Sequence, residues 1–199
     1  MRDNTFIPED ISATMFGYSK VKNEVFILPK EFCEAVTAKI ELNTDILALN
    51  KLTAEHWKKL EAFQGRWTVF YLKLRYCSAD SRVLLAFAGE NLVHIEWIVP
   101  SKNMKSRYSF LPEDSYSIIS CLTSSKFRGL GIYPSQLRKA AESNLPAKMF
   151  YIWAAADNNA SLNGILKAGG VKIGELVQKK WLWGCFSHIK YFSATNNIR

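Results

Sequence analysis

Residues Tyr116 to Tyr133 read YSIISCLTSSKFRGLGIY. The apolar, β-branched run from Tyr116 to Thr123 predicts a strand. Polar residues and then Gly129 and Gly131 predict a turn. A helix follows from about Tyr133 to Ser143, with Leu137, Ala140 and Ala141 on its inner face. Pro134 is tolerated in the first turn, where amides have no helical partner. A helix N-terminus carries unpaired amides and positive partial charge. Glycines let a ligand approach the backbone. Arg128 adds a charged, bidentate donor. The segment Arg128, Gly129, Leu130, Gly131, Ile132 therefore has the ingredients of a pyrophosphate cradle. It is not a P-loop, which needs a Lys and a hydroxyl after the second glycine. Nor is it the dinucleotide fingerprint, because Pro134 stands where the third glycine would be. Taken alone, Arg-Gly-x-Gly describes a ligand-free tight turn equally well.

Downstream, Lys148 to Ala156 predicts a strand and Asn158 to Ala168 a helix, with Leu162, Ile165 and Leu166 apolar. Gly169 and Gly170 end that helix. Strands over Val171 to Gln178 and Lys180 to Phe192 close the chain. Upstream, Leu92 to Val99 predicts a strand closed by Pro100. Arg82 to Ala88 and Trp67 to Tyr76 predict an antiparallel hairpin about Ser78, Ala79 and Asp80. Thr53 is placed to cap a helix, with Leu52 and Trp57 as a hydrophobic staple and Gly65 as its stop. The polar stretch from Ser101 to Asp114 is a candidate substrate lid. Residues 1–45 predict an N-terminal extension or a first strand and helix, with a short helix over Glu31 to Leu42. Residues 46–199 then form the main domain, and one domain overall is expected. The element order predicts an α/β (α+β) chain with a mixed, mostly antiparallel sheet of about 6–7 strands flanked by helices.

Two motifs in this order bring a family into view. Arg128-Gly129-Leu130-Gly131-Ile132-Tyr133 after a strand resembles the Gln/Arg-x-x-Gly-x-Gly/Ala signature of the GNAT superfamily of N-acetyltransferases. Asn158, Ser161, Lys167 and Gly169 match that family's second helix motif in spacing. The resemblance implies a GNAT-like acyl-CoA N-acyltransferase fold, with acetyl-CoA or another acyl-CoA as co-substrate and no metal. It implies that the strand at Ser120, Cys121, Leu122 and Thr123 bulges and pairs with the pantetheine arm, its amides polarising the thioester carbonyl. It also implies that Arg128 to Ile132 hold the pyrophosphate, and that Asn158 and Ser161 flank the pantetheine arm. Two positions depart from the family. Tyr133 stands where Gly or Ala is preferred, and Ile165 stands where many members carry a thiolate-protonating tyrosine.

An amine nucleophile must lose a proton to a base within reach. His94 and Glu96 share one strand face and are the first candidates. The ordinary alternative is a hydrogen-bonded sheet histidine and an ion-paired glutamate. Tyr116 and Tyr133 are back-up acids. His188 on the last strand can also face a cleft, and His56 reads as a solvent residue. Cys121 as a covalent nucleophile is disfavoured, since no His/Asp partner is visible beside it.

The charge of +8 suits anionic partners but is spread along the chain. No nucleic-acid motif accompanies it, so no nucleic acid is expected as partner. Cys33, Cys77, Cys121 and Cys185 form no CxxC pair, which fits reduced thiols. The opening MRDNTFIPED lacks the apolar core of a signal peptide. No apolar run approaches the ~20 residues of a membrane span. A cytoplasmic protein is expected. Trp67, Trp97, Trp153, Trp181 and Trp183 read first as core; Trp181 and Trp183 share a strand face that can instead line an acceptor pocket or form an interface, and a homodimer is among the expected assemblies. The expected activity is transfer of an acetyl or short acyl group to a small-molecule amine, an amino sugar among the candidates. The alternatives are a protein or peptide acceptor, and a CoA-binding module without turnover.

Overall fold

The computed structural model describes residues 19–31, 36–76, 78–181 and 186–194. In chain order the elements are β1 (Ser19–Pro29), β2 (Asn43–Ala48), α1 (Ala54–Gln64), α2 (Arg66–Tyr76), β3 (Arg82–Ala88) and β4 (Asn91–Pro100). Then come β5 (Tyr116–Thr123), α3 (Ile132–Glu142), β6 (Met149–Ala155), α4 (Asn159–Lys167), β7 (Val171–Trp181) and β8 (Phe186–Ser193). Among the described residues, eight strands form one sheet in the order β2-β3-β4-β5-β6-β1-β7-β8. Every neighbouring pair is antiparallel except β5 and β6.

Strand alternation sends side chains to two cores. On one face Phe26, Leu28, Leu84, Ile98 and Ile118 pack against Ile132 and Leu137 of α3 and Leu162 and Ile165 of α4. On the other, Val25, Val83, Leu85, Ile95 and Trp97 pack against Leu60 of α1 and Val69 and Leu72 of α2. Each fully buried Leu or Ile removes apolar area worth about 1.5–3 kcal/mol from water. The sheet is therefore covered by one helix pair on each side.

The predicted strand over Trp67 to Tyr76 is the helix α2. Its aromatic and β-branched composition suggested a strand, but Val69, Leu72 and Tyr76 recur at helical spacing and face the core. Gly65 explains the switch. Its amide donates to Glu61 O (2.9 Å) to end α1, and its carbonyl accepts from Val69 N (3.1 Å) to open α2. Its φ of 91° suits glycine. Ser78 to Asp80 thus joins a helix to β3 instead of turning a hairpin. Of the predicted helix over Glu31 to Leu42, residues 36–42 are irregular and 32–35 lie outside the described residues. The strand β2 was not foreseen, and β1 sits in the sheet interior between β6 and β7.

The stretch from Ser101 to Asp114 is anchored rather than free to act as a lid. Met104, Tyr108 and Leu111 are buried, and the Tyr108 ring packs at a tilt on Trp153, centroids 4.8 Å apart. Thr53 caps α1 as expected, but His56 is its capping-box partner rather than a bystander: His56 N donates to Thr53 Oγ1 (3.3 Å) and Thr53 N to His56 Nδ1 (3.1 Å).

Candidate active site

The two parallel strands carry the main geometric feature. β5 and β6 are paired only at Tyr116 with Phe150 and Ser117 with Tyr151. Beyond Ser117 no β6 residue is registered against β5, so the C-terminal half of β5 lacks β6 as a ladder partner. There β5 also bulges. Ile95 pairs with Leu122 and Trp97 with Ile119, leaving Glu96 opposite both Ser120 and Cys121. Ser120 has a φ of +54°, the left-handed region that non-glycine residues rarely adopt. Gln64, the last residue of α1, braces this strained backbone. Its Nε2 donates to Ser120 Oγ (2.6 Å) and Ser120 O (3.2 Å), while its Oε1 accepts from Trp97 Nε1 (3.1 Å). Sequence reading missed Gln64, because nothing in the spacing announces a helix-terminal amide that reaches another element.

The bulge resets the alternation of β5. Ile119 and Leu122 pack on the α1–α2 side, and Cys121 packs on the α3–α4 side. On that second side a polar group assembles. His94 Nε2 is 2.9 Å from Glu96 Oε1, and His94 Nδ1 is 2.7 Å from Thr123 Oγ1. His94 and Glu96 are fully buried. Burial holds the Glu96 carboxyl above its usual range, partly offset by His94. Its second oxygen, Oε2, has no hydrogen-bond partner among the described residues. The Tyr133 ring lies 5.9 Å from that of His94, and its hydroxyl neighbours the Cys121 thiol. Burial, then the nearby Cys121 and Glu96, push the Tyr133 phenol well up. Burial and Glu96 likewise push the Cys121 thiol up. A thiol kept protonated is a poor nucleophile, which supports setting aside a covalent cysteine. Cys121 is a free thiol; the other three cysteines lie outside the described residues.

The glycine turn lies at the start of α3. Ser125–Phe127 forms one 3-10 turn, Gly129 and Gly131 have φ of 78° and 74°, and α3 begins at Ile132. Gly131 is also crowded by the chain itself. The crossover from β1 to β2 passes here, with Lys39 N donating to Leu130 O (2.8 Å). Thr37 O would stand 3.2 Å from a Cβ at Gly131. Arg128 is exposed, and its Nε reaches Thr123 O at 3.4 Å. Lys39, Lys126 and Arg128 are all exposed and cationic around this turn. Lys39 belongs to the segment hardest to read from sequence, so its place here comes only from the fold.

Asn158 caps α4, its Oδ1 accepting from Ser161 N at 3.1 Å. Asn158 is exposed and Ser161 partly so. Ile165 is fully buried in the core under α4 and offers no proton. The structure thus gathers His94, Glu96, Cys121, Thr123 and Tyr133 at one end of β5. It does not bring Tyr116 to them. Tyr116 is at the closed end, paired with Pro100 and Phe150 and packed on the Phe150 ring. His188 is on the edge strand β8, with β6, β1 and β7 between it and β5. The reading of Trp181 and Trp183 as one face falls partly outside the described residues. Among the described residues, no group of three His, Cys, Asp or Glu could hold a metal ion, and no helix is long and apolar enough to cross a membrane.

No family model matches the sequence, and no curated protein matches it. Solved structures do. One is a conserved protein of unknown function from Staphylococcus epidermidis, with a TM-score of 0.59 and 13% identity, covering 88% of this chain and 66% of that one. A GNAT-family acetyltransferase from Colwellia psychrerythraea has a TM-score of 0.54 and 16% identity, over 82% of this chain and 57% of its own. A GCN5-related glucosamine N-acetyltransferase region of a fungal multi-domain β-N-acetylglucosaminidase has a TM-score of 0.55 and 11% identity, over 91% of this chain and 22% of its own. The chain thus spans less than two thirds of the length of these matched chains. The unzipped parallel pair, the bulge and the glycine turn before α3 occur together in one mixed sheet, and the chain has the GNAT acetyltransferase fold.

Proposed function

We propose that this chain transfers an acetyl or other short acyl group from acyl-CoA to the amine of a small molecule, in the opening between β5 and β6. The observation that carries the reading is the pairing of β5 with β6 over two residue pairs only, followed by the Ser120 bulge. An unpaired strand edge can take a pantetheine amide chain as an added strand. The bulge re-aims backbone groups of Ser120 to Thr123 toward a reacting carbonyl. The amides at the start of α3, with Arg128, suit a pyrophosphate. Asn158 and Ser161 at the start of α4 suit the pantetheine arm.

Acyl-CoA supplies the activated acyl carbon and a thiolate leaving group. In this reading the His94–Glu96 pair takes up the amine proton. Both residues are buried, so the proton reaches His94 through Thr123 Oγ1, which contacts His94 Nδ1 and belongs to a partly exposed residue. Tyr133, whose proton is held by burial, acts as a hydrogen-bond donor near the departing sulfur rather than as a strong acid. Amino sugars are the first acceptors to test, because the fungal region of the same fold is described as acting on glucosamine.

The complete burial of His94 and Glu96, with Ile165 in place of a tyrosine, favours one second reading: a CoA-binding module without turnover. A thermal melt with acetyl-CoA, CoA or ATP, followed by an amine screen for free thiol, separates them. A ligand that binds only the folded state raises the midpoint. A rise with CoA species and thiol release with an amine supports the enzyme. A rise without release supports the module. No rise with any CoA species overturns both.

A further inference from the structure

The helix α2 is apolar on two opposite sides. Val69, Leu72 and Tyr76 face the core. At about 100° per residue, Trp67, Phe70, Tyr71 and Leu74 cluster on the opposite side. These four are exposed to 82%, 57%, 47% and 74%. Their i, i+3, i+4, i+7 spacing makes one continuous stripe. Trp67 and Phe70 meet edge to face at 6.3 Å. Cations flank the stripe: Arg66 and Lys73 on one side, Arg75 on the other, all exposed. The helix contains no Asp or Glu. An exposed apolar stripe of this size on a soluble domain marks a surface that is meant to be covered.

We propose that this outer face of α2 docks on an anionic lipid surface, as an in-plane amphipathic helix. Trp, Phe and Leu on the apolar side with Arg and Lys along its margins is the composition that such helices use. The net charge of +8 adds long-range attraction to the same surface. A second copy of the chain is a poorer occupant. Arg66, Lys73 and Arg75 from two facing α2 helices would meet like charges, with no acid on either helix to pair them. The stripe also has a position that matters. Trp67 lies three residues after Gln64, which braces the Ser120 bulge.

The test is co-sedimentation of the full chain with phosphatidylcholine vesicles, with and without phosphatidylglycerol, in low and physiological salt. It involves no acyl-CoA, so its result is independent of the proposed reaction. Binding is expected to the anionic vesicles only, and to weaken with salt. The variant Trp67→Glu/Leu74→Glu alters exposed side chains, and a melt verifies its fold. It should stay in the supernatant. Arg66→Glu/Lys73→Glu should weaken partitioning about fivefold or more for each reversed charge. Lys179→Glu/Lys190→Glu, on the exposed basic face of β7 and β8, lowers the net charge by the same amount and should keep most of the binding, losing only the long-range share. Three results would overturn the proposal. One is no binding by the wild type at low salt. Another is binding lost only in the β7–β8 variant. The third is a dimer that Leu74→Glu splits while no vesicle is bound.

Discussion

The ring of Tyr133 lies against the backbone of Gly164, so that a Cβ built on Gly164 would stand 2.4 Å from Tyr133 Cδ1. The two residues therefore specify each other. A tyrosine can occupy a position where small residues are usual because α4 offers a glycine opposite it. Gly164→Ala must push the ring away from Cys121 and His94 or shift α4. We expect a loss of about 1–3 kcal/mol, the usual cost of overpacking. In a Tyr133→Ala background the same change should cost much less, a coupling that a double-mutant cycle on thermal or urea stability measures. Additive effects would mean that the ring gives way freely.

Glu96 gives stability a definite pH dependence. Burial raises its folded pKa above the unfolded value. A raised carboxyl pKa favours the folded state below the unfolded value, and that advantage is lost as pH rises through the folded value. Glu96→Gln removes the ionisation. The stability of the variant relative to wild type should therefore be greatest at neutral and alkaline pH and should fall as pH drops toward the usual carboxylate range. Urea titrations between pH 4 and pH 8 on the order of one unit apart check this. A difference independent of pH would mean that Glu96 does not change its charge over that range.

The glycine turn and the Asn158 helix were legible in the sequence because backbone constraints leave local marks. Gly129 and Gly131 need positive φ, and Asn158 needs to cap. The strand over Trp67 to Tyr76 was misread for the opposite reason. Its outer aromatic residues face away from the core, so composition suggested a strand while only Val69, Leu72 and Tyr76 kept the helical period. The place of β1 between β6 and β7 is a long-range pairing, and no local pattern encodes it. The polar group was half legible. Alternation put His94 and Glu96 on one face, but Thr123 and Cys121 join them only because the bulge at Ser120 resets the next strand.

Gln64 should matter to both fold and turnover. Gln64→Leu removes the acceptor of Trp97 Nε1 and both donors to Ser120. Loss of buried hydrogen-bond partners costs about 1–3 kcal/mol. If the strained Ser120 backbone helps to orient the acyl carbonyl, kcat should fall more than KM rises, since the lost positioning acts in the transition state. Gln64→Glu, which keeps the acceptor for Trp97 but sets a second acceptor against Ser120 O, should restore only part of the stability. A variant with lower stability but unchanged kcat would make Gln64 a purely structural brace.

Arg128 is exposed, so its reversal should leave the melt without ligand unchanged. Arg128→Glu should weaken CoA binding about tenfold or more, the scale of one lost charge-assisted hydrogen bond. Calorimetric titration with CoA and with dephospho-CoA checks it. Equal affinities for wild type and variant would move the pyrophosphate site away from this turn.

His94 is where the enzyme and module readings divide. A base must be free of its proton at the start of each turnover, and in the enzyme reading His94 fills that role through Thr123 Oγ1. His94→Ala should lower kcat by roughly 10²–10⁴. The substitution also leaves Glu96 without its partner at 2.9 Å in a buried site, so a loss of about 1–3 kcal/mol in stability accompanies it. His94→Gln, which keeps a polar group beside Glu96, separates the two effects. It should recover stability and not rate. If it recovers both, His94 is a sheet histidine held by Glu96 and Thr123, and the proton leaves the amine by another path.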